Sequence, residues 1–221
     1  GKTLALYANA YLMYYRDQLV LTGKINDVGA YTRTNIPESY RLGLELEGVW
    51  KPASRKVELS ANLSLSRNKI TAFTEYIDDY DQGGQVEKNY RETDISFSPS
   101  LIAGGRVSVF PLRGMPHLPL RQLSLDILPK YVSRQYLDNT QQISRSIDPF
   151  AVTDVLINCP FRLGESNVLS LRTGVQNIFN SLYESNGYTF SYLYNQTLTT
   201  QNYYYPQAGR RWMIGLGIEL N

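Results

Sequence analysis

Apolar and polar positions alternate strictly over long stretches of the chain. At its end Trp212, Ile214, Leu216, Ile218 and Leu220 point one way, and Arg211, Met213, Gly215, Gly217 and Glu219 the other. A period of two marks a β-strand with one apolar face. The same alternation predicts a first strand over residues 3–15 (Leu4, Leu6, Leu12, Tyr14) and a second over 40–51 (Leu42, Leu44, Leu46). It predicts a third from Val57 to Ser66, a fourth over 94–110, a fifth over 121–136, a sixth over 150–163 and a seventh through Leu169, Leu171 and Val175. That makes eight strands. Most have eleven or more residues, longer than the usual five or six of soluble sheets.

The connections alternate in length. Short ones fall at 52–55, 111–120 and 164–166, and long excursions at 16–38, 69–93, 137–148 and 179–208. Aromatics collect at strand ends. Tyr14, Tyr40, Phe97, Tyr131, Phe150 and Trp212 lie towards the long-loop rim, and Trp50, Phe110 and Phe161 towards the short-turn rim. Long strands, unequal loops and two aromatic girdles around an aliphatic band describe an up-and-down barrel crossing an outer membrane. A soluble β-sandwich would show the same alternation, with the apolar face turned into a core. Pro99, Pro129 and Pro160 fall within strand patterns. Proline cannot donate to a ladder, so a bulge is expected at Pro129.

Composition narrows the reading. The 221 residues carry a net charge of +2 with interspersed signs, so nothing points to a nucleic-acid partner. No run of about eighteen apolar residues exists, which excludes a transmembrane helix but not a barrel. Eighteen tyrosines suit strands and interfaces. The single Cys159 faces the apolar side and offers neither a disulfide nor a metal site. His117, in a proline-rich turn, is a lone and exposed histidine.

Several stretches resemble the C-terminal part of TonB-dependent outer-membrane receptors. Gly174-Val175-Gln176-Asn177-Ile178-Phe179-Asn180, followed by Tyr183, resembles the Asn-Leu-Phe-Asn segment of their penultimate strand. Tyr205-Pro206-Gln207-Ala208-Gly209-Arg210 is similar to the Pro-Gly-Arg lead into their last strand. The stretches Ser39–Glu47 and Ser96–Pro111 are similar as well, whereas the ending Leu220-Asn221 departs from the family's aromatic terminus. The resemblance implies an all-β fold: a transmembrane antiparallel up-and-down β-barrel, of which residues 1–221 form about the last eight strands of a 22-stranded plugged barrel. It implies an outer-membrane receptor of a Gram-negative bacterium that takes up a scarce nutrient such as an iron–siderophore or cobalamin. Its partners would be the remaining barrel and plug, TonB through that plug, lipid and the small-molecule nutrient. The alternative is a self-contained eight-stranded barrel with a structural or adhesive role.

Candidate sites follow from the two faces. Glu45, Glu47, Arg106, Arg162, Arg172 and Arg211 point into the lumen, where charge-assisted pairing with each other or with a plug is expected. Tyr188, Phe190, Tyr192, Tyr194, Tyr203 and Tyr204 give the last excursion an aromatic surface suited to siderophores, sugars or peptides. Glu75, Asp78, Asp79 and Asp81 carry cation-ligating oxygens, but their spacing matches no defined loop and a solvated acidic loop is the plainer expectation. No catalytic set, cofactor motif or metal motif is visible, so no enzyme, cofactor or metal is expected.

Overall fold

The structure, a computed structural model, describes residues 3–26, 28–115, 118, 120–163 and 167–219, without the side chains of 23–25, 162, 163 and 167. His117 and the 164–166 turn lie outside the described residues, as does the side chain of Arg162.

Eight strands form an antiparallel wall. They are β1 (Leu4–Ile25), β2 (Tyr31–Trp50), β3 (Val57–Asp79), β5 (Leu101–Val109), β6 (Ser124–Val132), β9 (Phe150–Leu163), β10 (Asn167–Gln176) and β13 (Arg211–Glu219), laddered in that order. The remaining strands belong to the long excursions. They are β4 (Gln85–Asp94), β7 (Gln135–Tyr136), β8 (Ser146–Ile147), β11 (Glu184–Tyr194) and β12 (Thr197–Pro206). Among the described residues β1 and β13 are the two ends of the ladder and do not pair. The closed eight-stranded alternative therefore has no ladder to close it.

One face of the wall is apolar and bare. Leu44 pairs with Leu65, Leu46 with Leu63, Thr173 with Ile214 and Leu171 with Leu216. Trp212 and Leu216 are 78% and 75% exposed. Among the described residues, the nine buried apolar side chains lie elsewhere, at or beyond the long-loop rim, and Val20, Ile36, Ile70, Phe73 and Ile95 form one cluster there. A sandwich would have buried Leu44 and Leu216 against a second layer, and no such layer is present among the described residues.

The excursions are not open loops. β1 and β2 run far beyond the expected strand ends and meet at residues 26–30, where the Asn26 side chain accepts from the Val28 and Ala30 amides. Upper β3 (Lys69–Asp78) leaves β5 and pairs with β4 instead. The segment expected to begin strand four at 94 is the crossing between these two ladders, with Phe97 at φ 52° and edge-on to Tyr31. Phe97 is therefore not part of a girdle. Phe150 stacks on Tyr183 at 4.5 Å, while Tyr14 pairs with Tyr40 on the outer face.

Pro129 makes no bulge. The register is the same on both sides of it, Gly104 with Lys130 and Val107 with Ile127, and only the intervening pairs are missing. Gly105 lies beside the Pro129 ring. The absence of a side chain there lets two backbones stay in register across a proline that cannot donate.

The family-like motif has a mechanical role. Asn177, at φ 50°, donates to the Ser181 and Ala208 carbonyls and accepts from the Ser181 amide. Asn180 Oδ1 accepts from the Arg210 amide at 2.8 Å. A Cβ on Gly209 would sit 2.6 Å from that oxygen. The two asparagines thus clasp the end of β10 to the start of β13, and a side chain at Gly209 would push against the Asn180 amide that makes the clasp.

Candidate functional site

The β11–β12 hairpin leaves the wall between β10 and β13. Its tip lands on β3, with β5, β6 and β9 between, through a short parallel ladder of Tyr192 with Asp78 and Leu193 with Asp79. It therefore spans the inner side of the wall as a chord. Asn195 and Gln196, at φ 50° and 57°, form the two-residue turn, the left-handed pair that matches strand twist. The Asp81 carboxylate accepts both of their amides, at 2.8 and 2.7 Å. Asp79 caps the neighbouring turn through the Asp81 and Gln82 amides, and Asp78 accepts from Gln85. The acidic stretch is thus a clip between hairpins. Among the described residues no group of three His, Cys, Asp or Glu is placed to hold a metal.

Beneath the hairpin sits Arg145, 1% exposed, in a 3₁₀ turn between β7 and β8. Its Nη1 donates to Glu75 of β3 at 2.5 Å and to Asp138 at 2.9 Å, and Nη2 reaches Thr200 of β12 at 3.4 Å. Tyr90 of β4 donates to the other Glu75 oxygen at 2.8 Å and accepts from Gln142 at 3.0 Å. Asn139, fully buried, donates to the Leu21 carbonyl of β1 and accepts from the Ser96 amide. This loop therefore ties the other three excursions together. Burial opposes the Arg145 charge, but Asp138 and Glu75 outweigh it and hold the pKa above the ordinary arginine value. Tyr90 is held above the ordinary tyrosine value by burial first, then by its bond to the Glu75 carboxylate. Sequence reasoning missed Arg145 because its partners lie seven and seventy residues away, and no spacing joins them.

The expected aromatics divide by parity. Tyr188, Phe190, Tyr192 and Tyr203 share one face of the hairpin. Tyr188 and Phe190 flank Tyr203 with ring centroids at 4.8 and 6.0 Å, and Tyr192 continues the row to Tyr80 at 5.6 Å. Tyr204 is on the opposite face, donating to the Ser146 carbonyl. Tyr194 stands exposed at the tip and makes no ring contact among the described residues.

The inner wall is sparse by comparison. Arg106 pairs with Asp126 through Nε and Nη2 at 3.2 and 3.0 Å, and Ser108 donates to the same carboxylate. Glu45 accepts from Asn9 at 3.0 Å. Glu47, Arg172 and Arg211 are exposed on that face, with no partner among the described residues.

No family model matches the chain, and no curated protein matches it. Solved structures do. The ferric preacinetobactin receptor BauA from Acinetobacter baumannii matches with a TM-score of 0.63 and 16% identity, over 97% of this chain and 27% of that one. The siderophore receptor PiuA from the same organism gives 0.62 and 15%, over 97% and 26%. The chain has the barrel-wall fold of TonB-dependent receptors. The ferric yersiniabactin uptake receptor FyuA from Yersinia pestis gives 0.56 and 18%, over 99% and 27%. This chain thus spans about a quarter of the length of these receptors.

Proposed function

We propose that residues 1–221 are the C-terminal portion of a TonB-dependent receptor barrel in the outer membrane of a Gram-negative bacterium. The receptor imports a scarce nutrient, an iron–siderophore, cobalamin or a similar small molecule. In this reading the plug domain, the earlier strands and the contact with TonB belong to the rest of the receptor. The chain supplies wall and external lid, and it is not an enzyme.

The open ladder carries this reading. Both β1 and β13 end the sheet with a row of backbone groups that no described strand pairs, and lipid does not tolerate such a row. Neighbouring strands must cover both edges, while the bare outer face meets acyl chains. The unpartnered inner charges Glu47, Arg172 and Arg211 face the plug. The row Tyr188, Tyr203, Phe190 and Tyr192 contacts the ligand, with Tyr194 at its end, while Tyr204 on the opposite face anchors the hairpin to Ser146.

The test combines placement with transport. A cysteine at the hairpin tip, Thr197→Cys, is expected to react with a membrane-impermeant maleimide on intact cells. Deleting the gene is expected to abolish TonB-dependent accumulation of the nutrient. A tip that stays unlabelled until cells are lysed would contradict this placement, and uptake unchanged by the deletion would contradict the import role.

A further inference from the structure

A cavity of about 140 Å³ lies inside the cap, where β1, β2, β3, the Asp138–Thr140 loop and β11 converge. Its size is close to that of a cavity that admits a single benzene-sized ring. Three features of the lining set its chemistry. Aromatic side chains come from two sides, Phe73 and Tyr76 on β3 and Phe190 on β11. Six threonines from five segments reach it: Thr22, Thr32, Thr34, Thr74, Thr140 and Thr189. Glu75 and Asp138 close one end.

The backbone adds to this. β11 is laddered to β12 along one edge, but along the other, among the described residues, it pairs with β3 only at Tyr192 and Leu193. At Thr189 and Phe190 a free strand edge therefore borders the cavity, and such an edge presents unpaired backbone donors and acceptors.

Charge removes one ligand class. Two carboxylates face a single guanidinium, Arg145, which is already committed to both of them, so the local balance is negative. An anionic group entering here would meet that negative balance with no free cation among the described residues to receive it. A neutral ring bearing hydroxyls meets aromatic faces together with threonine and carboxylate oxygens that accept hydrogen bonds, the mix of apolar walls and few placed polar groups that ligand sites use.

We propose that this cavity binds a neutral polyhydroxylated ring, a sugar ring or the sugar-like end of a larger ligand. This rests on the import reading above and narrows its ligand class. The experiment is isothermal titration and saturation-transfer NMR on the whole receptor that contains residues 1–221, purified in detergent. The probes are glucose, galactose and N-acetylglucosamine, against glucuronate and catechol. At least one neutral sugar is expected to bind in the millimolar range or tighter, with glucuronate about tenfold weaker or more. Thr34→Val combined with Thr189→Val is expected to weaken binding by about tenfold, and Thr34→Ser with Thr189→Ser to retain it. No signal from any neutral sugar on folded protein would overturn the inference, as would glucuronate or catechol binding more tightly than all of them. Surface labelling at Thr197→Cys reads the import placement independently, so failure of one assay does not imply failure of the other.

Discussion

Along β1 and β2 the even-numbered side chains Leu12, Tyr14, Leu42 and Leu44 are exposed, while Val20 and Ile36, of the same parity, are buried. Between the two regions stands Asp17 at φ 53°, opposite Pro37, where the ladder is interrupted without a change of register. The wall and the cap are thus built from the same continuous strands but from opposite physical solutions. The wall turns its apolar face outward and keeps a thin polar inner face. The cap turns apolar groups inward and adds a dense set of buried hydrogen bonds around Arg145. The difference follows from the surroundings each part is suited to: a wall bathed in lipid gains nothing from hiding leucines, whereas a cap in water must build a core of its own.

This comparison can be sharpened by substitution. The largest effect is expected from Arg145→Ala, which leaves Glu75 and Asp138 buried without their cation, at a cost of about 3–5 kcal/mol. Hydrogen exchange should accelerate through residues 137–147 and the β11–β12 hairpin while the β9–β10–β13 ladder keeps its protection. Equal acceleration in both regions would show that they are one cooperative unit. Next comes Leu216→Arg on the outer face, expected to destabilise folding into bilayers by about 2–4 kcal/mol. Glu47→Arg on the inner face should change it by no more than about 0.5 kcal/mol. A smaller loss, about 0.5–1.5 kcal/mol beyond area effects, is expected for Tyr203→Ala, which removes the ring between Tyr188 and Phe190. Thermal melts of the cap would read it.

The smallest effect concerns pH. Tyr90 is held above its ordinary value of 10.0, so the neutral, donating form is favoured in the folded cap. Its contribution is complete below that ordinary value and is lost as the pH climbs through the raised one. Cap stability should therefore fall only in strongly alkaline solution, and Tyr90→Phe should remove that part of the alkaline fall.

Much of the wall was legible because alternation is a local signal. The β9 span from Phe150 to Leu163 and the neighbouring β10 follow directly from residues such as Val155, Ile157, Leu169 and Leu171. The cap strands were not legible. The buried face of the β11–β12 hairpin is Gly187, Thr189 and Ser191, polar or side-chain-free positions that read as loop. The stretch 16–38 read as an excursion, whereas β1 continues into it as far as Ile25. The aromatic surface was visible as composition, but the separation of Tyr204 from Tyr203 depends on the pairing of Tyr188 with Tyr203, a register no sequence pattern states. The acidic residues were visible too, while their work as turn caps depends on hairpins that meet only in the fold.

The most direct test of the central claim is the environment of the wall's outer face. Spin labels placed singly at Leu44, Leu63 and Leu216 in the bilayer-reconstituted protein should be relaxed by oxygen and shielded from an aqueous nickel chelate. Labels at Glu47 and Gly215 should show more contact with the chelate. Labels at 44, 63 and 216 shielded from both reagents, on protein that is monodisperse without detergent, would place those leucines in a dry protein interior and contradict the account.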